Sequence, residues 1–128
     1  MAKAPVPINV LDNYRAAVTA NPASAEAQCN LGWGHYGQKA YAEAVKAFQA
    51  ALALDANWLD AYYGLALAHK GAGATVDAVA AFEKVRTLAA QVPDVVRAHM
   101  LGRLAHGHIN EIQKGDWDLD KELRHRVS

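Results

Sequence analysis

Residues 44–51 read Ala44-Val45-Lys46-Ala47-Phe48-Gln49-Ala50-Ala51, and thirty-four positions later residues 78–85 read Ala78-Val79-Ala80-Ala81-Phe82-Glu83-Lys84-Val85. Alanine, then phenylalanine four places on, then a small or branched residue three further return in register. Tyr14 and Ala17 stand at the same interval before Phe48 and Ala51, and the pairs Leu31 and Leu65, and His35 and His69, repeat it again. Within the quoted stretch Ala44, Val45, Phe48, Ala51 and Leu52 are spaced three and four apart, which makes one apolar stripe on a helix. A fixed period of this length marks a stack of short helical units, each burying its apolar face only against its neighbours. An array of that kind holds a partner rather than transforming a substrate.

Working outward, two prolines in the first seven residues predict an extended lead-in, with Asn9 capping a helix that runs to about Ala20 and stops at Asn21-Pro22. Ser24 is the next cap, with Glu26 in the first turn, for a helix from Ala25 to about Gln38. Lys39-Ala40 is a tight turn before a helix from Tyr41 to Leu54. The pattern restarts with a helix from about Leu59 to Ala72, then Gly73, a capping Thr75 and a helix to about Ala90. Leu101-Gly102 repeats Leu31-Gly32 once a two-residue insertion before Pro93 is allowed. Leu101, Leu104, His108 and Ile112 carry the last long helix to near Gly115, and the charged tail, with Trp117, Leu119, Leu123 and Val127, reads as a short helix covering the open end.

Composition narrows the classes. The 128 residues suit a single domain, 52% are hydrophobic and 20% charged, as close-packed helices require. Thirteen basic residues balance thirteen acidic ones, so no electrostatic footprint for nucleic acid or an anionic membrane is present. Cys29 is the only cysteine and has no partner for an internal disulfide. Proline interrupts the first residues and no apolar run approaches about twenty residues, so neither a signal peptide nor a membrane span is expected, and a soluble cytoplasmic protein is.

These residues resemble the tetratricopeptide repeat. Residues 25–58 supply Leu31-Gly32, Ala44 with Phe48, and Ala51; residues 59–92 supply Tyr62, Leu65-Ala66, Ala78 with Phe82, and Leu88. Residues 1–24 match the latter half of a unit through Tyr14, Ala17 and Pro22, and residues 93–128 read as a degenerate third unit plus a cap. Gln28, His35, His69 and Ala56 depart from the family's aromatic and proline positions. The resemblance implies an all-α fold, a right-handed superhelical stack of antiparallel helix hairpins with six to seven helices. It also implies that the first helix of each unit lines a concave surface.

Those first helices carry a second face besides the packing one. Cys29, Trp33 and Tyr36 lie at i, i+4 and i+7, and the same offsets give Tyr63, Leu67 and Lys70, then His99, Arg103 and His106. Together they form the expected partner-binding stripe, with Trp33 as its anchor because large amphipathic rings dominate binding surfaces. Family members that hold a chaperone's terminal carboxylate use Lys, Asn and Arg at places filled here by Cys29, Trp33, Gly64, Val96 and Met100, so that mode is disfavoured. An extended apolar or aromatic segment, or a helix, fits the stripe better.

The function expected is therefore a non-enzymatic protein-interaction module without cofactor or metal. Self-assembly through the groove or the stack ends is the alternative, since half units at both termini leave the edges imperfectly sealed. A metal site on His99, His106 and His108 is the least favoured reading, because none of them is paired at i, i+4.

Overall fold

The computed structural model describes residues 10–92 and 94–115. Asn9, Pro93 and the tail from Asp116 to Ser128, to which an N-cap, a boundary and a terminal helix were ascribed above, lie outside the described residues. Six helices follow one another: α1 (Val10–Ala20), α2 (Ala25–Gly37), α3 (Tyr41–Leu54), α4 (Leu59–Gly71), α5 (Thr75–Ala90) and α6 (Val96–Lys114). No strand occurs among the described residues.

Local chemistry accounts for the boundaries. Ser24, in extended conformation, accepts a hydrogen bond on Oγ from the Ala27 N–H at 3.1 Å and so caps α2. The helices α2 and α4 end in the same way thirty-four residues apart. Lys39 (φ 60°) and Gly73 (φ 82°) occupy the left-handed region, and the Ala40 and Ala74 N–H groups reach back to the His35 and His69 carbonyls at 2.9 Å. This closure passes straight into the next helix, so the residue before α5 is Ala74, without a side-chain cap, and Thr75 is the first helical residue rather than the cap expected of it. The insertion before Pro93 is absorbed in α5, which has 16 residues against 14 in α3. The helix α6 overruns the others at 19 residues and stops at Gly115 (φ 85°).

Each helix packs against the next as an antiparallel hairpin, and α4 also touches α2 on one side and α6 on the other. Phe48 shows what draws the layers together. Its ring is fully buried, and a Cβ at Gly32 on α2 would lie 2.7 Å from it. A Cβ at Gly64 on α4 would collide with the same ring. One aromatic of α3 thus fills the space that two glycines vacate, and its burial is worth roughly 2 to 3 kcal/mol. Phe82 and Val85 on α5 are likewise fully buried one unit on, in a core that includes the fully buried alanines Ala44, Ala61, Ala66 and Ala105. In consequence α1, α3 and α5 form one layer, and α2, α4 and α6 run parallel in the other.

Candidate partner-binding groove

The helices α2, α4 and α6 meet through side chains too large to be swallowed by the core. Trp33 packs edge-on against Phe48 with ring centroids 5.1 Å apart, and continues to Tyr36 at 6.0 Å and Tyr63 at 6.5 Å. Tyr36 in turn stands edge-on to Tyr41 at 5.8 Å. Trp33, Tyr36 and Tyr63 are each half-buried, one side of the ring on the core and the other outward. Burial raises the pKa of both tyrosines, so they remain neutral hydrogen-bonding phenols at physiological pH.

At one end Cys29 is 3% exposed beside Trp33 and Trp58, and burial, reinforced by Asp60, pushes its thiol up to about 11. It forms the floor of the groove as an inert thiol rather than a contact surface. Above it Asp60 on α4 pairs with Arg97 on α6 at 2.9 Å.

At the other end a polar cluster ties α4 to α6. Lys70 Nζ lies 2.9 Å from His108 Nδ1 and donates to Glu111 Oε1 at 2.8 Å, and Tyr63 Oη lies 3.2 Å from His108 Nε2. An ammonium can only donate, so Nδ1 is the acceptor, the imidazole proton sits on Nε2, and Nε2–H donates to the Tyr63 oxygen. The ring also stacks on Phe82 at 4.7 Å, with the planes 9° apart. Burial, with Lys70 adding to it, lowers the His108 pKa to about 4, so the imidazole stays neutral.

The structure thus brings Trp33, Tyr36, Tyr63 and Lys70 together, with Leu67 half-buried against the core between the last two. It aligns a different stripe of α6 with them. Arg97, His108 and Glu111 face α4, whereas His99 faces α5, where it lines a cavity with Arg86, Ala89, Ala90 and Gly102. Arg103 is exposed, and His106 takes a hydrogen bond from Asn110 at 3.3 Å. Arg97, His108 and Glu111, separated by eleven and three residues, share one face of α6, from which His99, Arg103 and His106 are turned by about 180 to 240°. His108 had been placed among the apolar spacings of α6, a signal that it faces the neighbouring helices. Asp60 and Glu111 gave no such signal. Among the described residues, no three His, Cys, Asp or Glu side chains converge closely enough to hold a metal ion.

Compared with known proteins, residues 25–58 match the family model of the tetratricopeptide repeat. The match spans a single unit of that repeat. A crystal structure of MamA is similar at 29% identity and a TM-score of 0.60, the match covering 92% of this chain and 70% of that one. A second MamA crystal structure matches at 29% identity and a TM-score of 0.61, over 86% of this chain and 60% of that one. The tetratricopeptide domain of Arabidopsis OM64, at 21% identity and a TM-score of 0.61 over 77% of this chain and 79% of that one, shares the fold. A search of curated proteins finds no match to the chain. The tetratricopeptide fold is a superhelix of helical hairpins and a scaffold for protein-protein interaction, generally without catalytic activity. No described helix is long and apolar enough to cross a membrane.

Proposed function

We propose that this protein is a cytoplasmic, non-catalytic interaction module whose concave face receives an extended or helical segment of a partner protein. The observation that supports it is the file of half-buried rings Tyr36, Trp33 and Tyr63 across two neighbouring helices, centroids 6.0 and 6.5 Å apart. Rings held this way are rigid, so little entropy is lost when a guest packs on them. A groove built from three helices is small, and micromolar affinity, about 8 kcal/mol, is the expectation.

Leu67 and Lys70 belong to this contact surface, as do His108 and Glu111; His99, Arg103 and His106 stand aside from it. The test is affinity of the captured partner for Trp33→Ala and Tyr63→Ala proteins. Each substitution is expected to weaken binding by roughly 1 to 3 kcal/mol with helical content unchanged in circular dichroism. Unaltered affinity in both would remove the proposal. A second reading, self-association at a stack end, draws support from the exposed Val92, Val95, Val96 and Met100 at the α5–α6 corner. Sedimentation over a wide concentration range decides it, a strict monomer excluding it.

A further inference from the structure

Lysines stand at the carboxyl ends of all three groove helices: Lys39 in the turn after α2, Lys70 in the last turn of α4 and Lys114 at the end of α6. Since α2, α4 and α6 run parallel, these ends share one edge of the groove. Glu26 and Asp60, in first turns, mark the opposite edge. Two further acids at the lysine edge, Glu43 and Asp77, begin α3 and α5, in the layer behind the groove. Complementing the helix dipoles is enough to account for Lys39 and Lys114.

Lys70 does more. Its side chain is 25% exposed, turned inward onto His108 and Glu111. Two of its three N–H groups are committed there and one remains. Tyr63 receives the His108 Nε2–H on its oxygen and therefore keeps its own O–H to give. Tyr63 and Lys70 are two turns apart on one face of α4, and the Tyr63 ring adjoins Trp33. The aromatic shelf thus ends in two hydrogen-bond donors, one of them cationic, whose orientation is held by a neutral imidazole.

We propose that this end of the groove is an acceptor-binding subsite, and that the guest segment carries an acidic side chain, Asp or Glu, next to the aromatic or large aliphatic residue that packs on Trp33 and Tyr63. The inference rests on the groove being the docking face. A guest carboxylate accepts from Tyr63 Oη–H and from the third Lys70 N–H.

The test uses fluorescein-labelled decapeptides, blocked at both ends so that no terminal carboxylate is present, in which Leu or Trp alternates with Glu, with Gln or with Lys. Anisotropy at physiological salt reads their affinities, and a formal net charge of zero on the protein removes bulk attraction from the comparison. The Glu peptide is expected to bind at least tenfold more tightly than the other two. Tyr63→Phe, which removes only the hydroxyl, and Lys70→Met, which keeps the aliphatic stem, should each erase most of that preference. Trp33→Ala should weaken all three peptides alike. Equal binding of the Gln or Lys peptide, still lost with Trp33→Ala, overturns the acceptor subsite and leaves the groove standing. Binding of the Glu peptide that is indifferent to Trp33→Ala overturns both.

Discussion

Lys39 and Gly73 hold the same left-handed turn at equivalent positions of consecutive units, which makes them a matched pair of perturbations. For lysine at φ 60° the clash of Cβ with the following carbonyl costs about 1 to 2 kcal/mol. Replacing it with glycine removes that cost but returns about 0.4 to 1 kcal/mol to the freer unfolded chain. The side chain is exposed and makes no packing contribution that would be lost. Lys39→Gly should therefore stabilise the protein by roughly 0.5 to 1 kcal/mol, and Gly73→Ala, at φ 82°, should destabilise it by a similar amount. An unfolding entropy of about 2.1 cal/mol/K per residue over 128 residues turns these into shifts of roughly 2 to 4 °C, upward for the first and downward for the second. Thermal unfolding followed by far-ultraviolet circular dichroism measures both. The turns are far enough apart for the double variant to lie near wild type. A lower Tm for Lys39→Gly, or an unchanged one for Gly73→Ala, refutes the assignment of strain to this turn.

Three other outcomes follow from the packing and the cluster. Gly32→Ala forces a Cβ to 2.7 Å from the Phe48 ring and should lose about 1 kcal/mol or more, while Gly37→Ala, with nothing within 4 Å, should gain up to about 1 kcal/mol; denaturant midpoints report both. His108 is neutral when folded, its pKa lowered from 6.5 to about 4, so the unfolded chain takes up the proton first as pH falls. Stability should decline from about pH 6.5 toward about pH 4 and level off below, His108→Gln should lack that part of the decline, and the imidazole should not titrate by NMR above about pH 5. Cys29, its thiol pushed up to about 11, should resist a disulfide reagent at pH 8 in native protein and react at once in denaturant.

What the sequence by itself determined is the local and periodic part. The ends of α2 and α4 lie within a residue of expectation, those of α3 match it, and Ser24 caps where a serine ahead of an apolar period should. These follow from hydrogen bonding within a few residues and from apolar spacing, both written in consecutive positions. The pairing of Trp33 with Tyr63 was legible for the same reason, since two units in register repeat each other's geometry. The rotation of α6 was not. Its unit has no second copy to be read against, and the azimuth of a helix is set by packing against two neighbours at once. Only the tertiary structure turned Arg97, His108 and Glu111 toward α4, and only there does Lys70 fix the imidazole tautomer that leaves the Tyr63 hydroxyl as a donor.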